Sequence, residues 1–361
     1  CFCLCDTTGD FFPDEIAKLT EIFRKHLDAA GFKGELGFHG HNDFDSVIAN
    51  SIAVAPYVDH IQGTFGEGER VGNANLAIVI PLLVDRLNYF VNVKHPEKTR
   101  QTVLDAYKIL GLVFDEKTPI IGKYAATNKA GMHTDGHRKG AKYIVFDTAK
   151  WGNPEEKYHL SDQMGTGDVV EFLKEFGIEK TKDDAIVADM TSYIKDKCAQ
   201  GYTNWTAAEK FLLFQHYFGK KYSDVIKSIS FEGTTIVVEG KEEKSRVVWH
   251  GFIFGHHETV VNDITGSGIF AALFEGLKKE LDLITANPLS KDIKCTKVAD
   301  IRIVDYNVDL VDNLGYQSTV RVTVTYGNDN GELWTVVGCD KNKENADKIV
   351  IEKGFAYRLL K

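Results

Sequence analysis

Residues 37–46 read GFHGHNDFDS, which sets His39 and His41 two positions apart with Asn42 and Asp43 directly behind them. On a strand, side chains at i and i+2 project from the same face. Two imidazoles so placed can offer neutral nitrogen ligands to one ion. An isolated pair of this kind more often packs in an interior or caps the next helix. The polar residues that follow, and the polar ends of two neighbouring strands, tip the reading towards metal. Nitrogen and oxygen donors without thiolate suit a divalent metal ion, Mn2+, Mg2+, Zn2+ or Co2+, and the sequence does not choose among them.

Working outward, this stretch is the middle of three units with one texture: apolar strand, polar loop, amphipathic helix. CFCLCDTTG leads into a helix from Pro13 to Ala30, and GELGFHGHND into one from Phe44 to Ala55. YVDHIQGTF, followed by the loop GEGERVGN, leads into an apolar helix from Ala74 to Leu87. Strands alternating with helices predict a parallel sheet with right-handed crossovers. The polar residues always follow the strand, at the end where such sheets bind ligands. Asp6 and Thr7, His39 and His41, and the segment from Glu67 to Asn73 are therefore expected to meet at one mouth. The glycine-rich loop invites a phosphate-cradle reading, but Glu67 and Glu69 would repel a phosphate. Asn73 stands as either a metal neighbour or a helix N-cap.

The bulk numbers narrow the classes. The chain has 361 residues, 43% of them hydrophobic, enough to bury a core and to divide into more than one domain. No apolar run reaches the roughly 18 residues of a membrane span. A net charge of −9 argues against nucleic acid and an anionic membrane surface as partners. The cysteines form no CxxC pair or disulfide framework; Cys1, Cys3 and Cys5 would share a strand face and are expected as packed interior thiols. A reducing, cytoplasmic setting fits this usage. CFCLCDTTGD lacks a methionine and a basic n-region, and reads as a strand whose upstream part is missing.

From about Lys94 the alternation gives way to helices interrupted near Gly177 and Gly201, with the loop GMHTDGHRKG between them. That loop carries His133 and His137 among glycines; a solvated loop is the default reading, and one histidine acting on substrate is a better reading than a second metal site. Beyond Tyr222, two segments read as strand, strand, helix, a duplicated ββα unit that marks a small α+β domain. His256 and His257 are adjacent, face opposite ways on a strand, and read as structural. The domains expected are 1–95, 96–221 (mostly helical linker) and 222–361.

Taken in order, LCDTTG, GFHGHNDFDSVIANS, HIQGTFGEGERVGNANL and NKAGMHTDG resemble the acyl-transferring branch of the metal-dependent TIM-barrel enzymes, which includes the 2-isopropylmalate, homocitrate and citramalate synthases. WGNPEEKYHLSDQMG and GELWTVVGCDKN are most similar to the citramalate subgroup, with 2-isopropylmalate synthases second. The resemblance implies an α/β fold: strands six to eight of a TIM (β/α)8 barrel, helical linker subdomains and an α+β regulatory domain. It implies His39, His41 and Asn73 at the metal, Thr7 on the carboxylate of a 2-oxo acid, and His133 in proton transfer. It implies acetyl-CoA as co-substrate, pyruvate as the acceptor, an isoleucine or leucine effector, and a homodimer.

Departures accompany it. The DxxRDG-type first-strand motif has no counterpart, and a barrel needs about 250 residues; the chain alone is expected to be inactive. Asn128 replaces a usual histidine, MGTGD stands for SGRSN, GIFAA for GPVDA and NKENAD for NIIEAS. The competing readings are a non-catalytic effector-binding relative and a lyase using the same metal site.

Overall fold

The computed structural model describes the whole chain except residues 128–135, 137–139, 142–143, 145, 155–157, 203–204, 239–241, 266, 287–297 and 313–317. Two compact units emerge, one within residues 1–159 and one within 160–361.

In the first unit the order is β1 (Phe2–Asp6), α1 (Pro13–Ala29), β2 (Leu36–Gly40), α2 (Val47–Val54), β3 (His60–Gln62) and α3 (Leu76–Pro81). The strands pair in parallel as β1-β2-β3, with Cys5 opposite His39 and His39 opposite Gln62. Helical crossovers make that direction obligatory, because each strand re-enters the sheet from the same end. Alternation assigns the faces: Phe38 is buried with Ile16 of α1 and Val54 of α2, and Leu4 packs against them. Cys1, Cys3 and Cys5 alternate with Phe2 and Leu4 and so lie on the other face. Cys1 and Cys5 are exposed and Cys3 is half-buried, which corrects the expectation of packed thiols.

Two helices begin later than expected. Residues 42–46 form a turn with Asp45 at φ +56°, so α2 starts at Val47. The Asn75 side chain accepts the Ala77 N–H at 3.0 Å, so α3 starts at Leu76 and Asn75, not Asn73, is its N-cap. Past Pro81, which has no N–H to donate, the helix widens into a π turn over Leu82–Arg86. α4 (Thr99–Leu110) follows and ends at Gly111 in the left-handed conformation.

The second unit opens with α5 (Thr166–Glu175), α6 (Ala185–Ala199) and α7 (Ala207–Phe218). Breaks fall at Gly177 and Gly201, both at positive φ. Then come β4 (Ile226–Val238), β5 (Glu242–Ile253), β6 (His256–Thr265) and α8 (Ile269–Thr285), and again β7 (Arg302–Leu310), β8 (Val320–Gly327), β9 (Leu333–Asp340) and α9 (Lys343–Leu360). Each repeat is therefore βββα, one strand more than expected. β4 and β7 are the edge strands of antiparallel sheets ordered β4-β5-β6 and β7-β8-β9, and most of their described residues are exposed or half-exposed. β4 shows no regular alternation, whereas β7 alternates from Val304 to Leu310 with Val304, Val308 and Leu310 exposed. His256 and His257, at the start of β6, are both exposed. One core joins the repeats, with Trp249, Leu277, Val324, Val336 and Phe355 fully or nearly fully buried. Among the described residues, no helix is long and apolar enough to cross a membrane.

Candidate active site

The carboxyl ends of β1, β2 and β3 carry the site. The His41 N–H donates to the Asp6 carbonyl at 3.2 Å, and the Asn42 N–H to the Gly72 carbonyl at 3.0 Å. These bonds tie the loop after β2 to the loops on both sides. His41 and Asn73 also pair as a short antiparallel bridge. The three polar segments expected to converge do so.

Within this frame the rings of His39 and His41 lie edge to face with centroids 5.2 Å apart. The Asn73 carboxamide nitrogen is 3.4 Å from His39 Nε2 and 3.4 Å from His41 Nδ1, and donates to the Gly40 carbonyl at 3.2 Å. Both imidazoles are half-buried and Asn73 is buried, so the donors are held yet reachable. The two ring nitrogens that face Asn73 can serve a divalent cation as neutral ligands, and the carboxamide would join them only through its oxygen, with the amide turned over, because its nitrogen is no ligand. His39 and His41, with Asn73 beside them, thus fit one side of a divalent cation's coordination shell. With Asn75 as the helix cap, Asn73 is left to the site.

Glycine shapes the wall behind Asn73. Gly68 stands at φ +139°, and a Cβ there would lie 2.5 Å from Asn73 Oδ1. The Glu67 carboxylate folds back onto the Phe65 N–H at 2.7 Å, so it occupies a donor that a phosphate cradle would need. Gly9, at φ +63°, lets the loop after β1 close on Asp43, where a Cβ would meet the Asp43 backbone nitrogen at 2.8 Å.

Thr7 is exposed at the rim, and its carbonyl accepts from Arg70 Nη2 at 2.9 Å. Arg70 also grips Asp43 through Nε to Oδ1 at 2.7 Å and Nη2 to Oδ2 at 2.8 Å. That guanidinium holds the Asp43 carboxyl below the usual carboxylate range. Burial pushes the Asp6 carboxyl up, opposed by the Gly9 N–H that donates to its Oδ1 at 3.0 Å.

Comparison with known proteins bears on this geometry. Residues 1–110 match the HMGL-like family. The (R)-citramalate synthase of Aquifex aeolicus is 27% identical over 99% of this chain and 66% of its own length. That of Synechocystis is 27% identical over 99% of the chain and 65% of its own length. Along nearly its whole length the chain is similar to citramalate synthases. A 2-isopropylmalate synthase from Oceanobacillus iheyensis is 30% identical over 50% of the chain and 36% of its own length. The chain spans about two thirds of the length of the citramalate synthases it matches.

The structure brings Thr7, His39, His41 and Asn73 to one mouth. His133, with Asn128 and His137, lies outside the described residues. The grip of Arg70 on Asp43 and Thr7 escapes sequence reading: the GER triplet draws attention to Arg70, but no local spacing names a partner 27 residues away.

Proposed function

We propose that this chain carries the metal-holding part of an acyltransferase that condenses acetyl-CoA with a 2-oxo acid, pyruvate in the first place, to give citramalate. Residues 1–95 would form the last three β/α units of the family's barrel, and residues 222–361 the regulatory domain that senses isoleucine or leucine. The full-length protein would work as a homodimer in the cytoplasm, within branched-chain amino-acid synthesis. The observation that supports this reading best is the Asn73 amide at 3.4 Å from a nitrogen of each imidazole, in a chain similar along its length to citramalate synthases.

His39 and His41 would hold the cation through Nε2 and Nδ1, the two nitrogens that face Asn73. When bound, the cation supplies Lewis-acid stabilisation of the charge that develops on the ketone oxygen. Asn73 fixes the angle between the rings by anchoring to the Gly40 carbonyl. Thr7, whose main chain is pinned by Arg70, presents its hydroxyl to the carboxylate of the 2-oxo acid. A base removes a methyl proton from acetyl-CoA, and the carbanion adds to the ketone carbon. His133 assists proton transfer, and hydrolysis of the thioester releases coenzyme A.

With acetyl-CoA, pyruvate and Mn2+, the full-length protein is expected to release free thiol, and His39→Ala to lower the rate by at least a thousandfold. Release with 2-oxoisovalerate in place of pyruvate would move the assignment to 2-isopropylmalate. Equal turnover in the variant would remove the histidine's role.

A further inference from the structure

Among the described residues of the first unit, Arg70 is the side chain seen to join the loops that follow all three strands. It springs from the loop after β3, three residues before Asn73, and its backbone sits at φ +57°, a conformation uncommon for a non-glycine residue. Its fork takes both carboxylate oxygens of Asp43, at 2.7 and 2.8 Å, in the loop after β2 and two residues past His41. The same Nη2 reaches the Thr7 carbonyl, at 2.9 Å, in the loop after β1. We propose that Arg70 and Asp43 form a clamp that sets the spacing between the Thr7 hydroxyl and the His39–His41–Asn73 donors, so that both are positioning residues for the metal and the 2-oxo acid. This rests on the reading of the mouth given above.

The chemistry requires these two residue types. Asp43 follows the histidine pair so closely that its carboxylate could itself turn to a cation. With both oxygens committed to a guanidinium it does not. A planar fork with several N–H donors can satisfy two carboxylate oxygens and a carbonyl together; a lysine ammonium, on a flexible stem, cannot hold that geometry. Gly9 allows the approach, because a Cβ there would meet Asp43 Oδ2 at 2.8 Å. The clamp therefore couples substrate threonine to metal histidines through atoms that touch neither ligand.

The test uses Mn2+ binding followed by electron paramagnetic resonance, steady-state kinetics of the full-length protein, and backbone hydrogen exchange. Arg70→Lys is expected to weaken Mn2+ binding about tenfold and to raise KM for the 2-oxo acid more than it lowers kcat. Asp43→Asn should do the same, and the double variant should be no worse than the weaker single one, since both remove one device. Additive effects, or unchanged affinity and KM, would overturn the clamp. Should the wild type bind no Mn2+, the reading of the mouth falls by itself. The clamp is then judged by exchange at residues 6–10 and 41–45, which Arg70→Lys should speed; unchanged exchange would overturn it.

Discussion

Two of the chain's ion pairs, one in each unit, are built on opposite terms. In the second unit, Lys353 of α9 donates to Glu209 of α7 at 2.8 and 3.0 Å and to the Val337 carbonyl at 2.9 Å, while Glu209 accepts the Val337 N–H at 2.7 Å. Both side chains are at most 8% exposed. Lys353 sits 4.6 Å from the centre of the Tyr202 ring, and burial drives that phenol well above its usual range. Every donor of the ammonium is used. At the mouth of the first unit, by contrast, Arg70 is 39% and Asp43 24% exposed, and the imidazoles beside them are half-buried. A saturated buried pair holds a fold together; a half-exposed pair beside reachable imidazoles positions a site.

The largest effect that would separate the two belongs to the buried pair. Lys353→Met leaves a carboxylate enclosed without its partner, which costs about 3–5 kcal/mol. Denaturant unfolding followed at the second unit's tryptophans is expected to show that loss, with Mn2+ binding at the mouth unchanged. Adding Glu209→Gln should restore much of it, because the amide removes the unpaired buried charge while its oxygen still accepts the Val337 N–H. A loss under 1 kcal/mol in the single variant would place this pair with ordinary surface ion pairs.

A smaller effect sharpens the other side. Gly68→Ala places a methyl 2.5 Å from Asn73 Oδ1 at a backbone φ that L residues rarely adopt. The amide must shift, and titration calorimetry with Mn2+ is expected to show about tenfold weaker binding with little change in the second unit's stability. Wild-type affinity in this variant would show that Asn73 does not orient the histidines.

What could be read from the sequence follows the same division. The β/α alternation, the shared face of His39 and His41 and the return of GERVGN to the same mouth were legible, because period and order set them. Asn73's freedom was not, since the choice of Asn75 as helix cap turns on one side-chain bond to Ala77. Glu209 and Lys353 stand 144 residues apart, and nothing local announces such a pairing. The edge strand β4 was missed for want of a regular alternation and β7 although Val304 to Leu310 alternates, and the thiols of β1 were expected to be packed although the Phe2 and Leu4 side is the one that meets α1.

Mn2+ titration of this chain, read by electron paramagnetic resonance in the wild type and in His39→Ala, tests the centre of the account most directly. One bound ion per chain in the wild type, lost when the imidazole is removed, is the result expected. Equal binding in both proteins, or none in either, would contradict it.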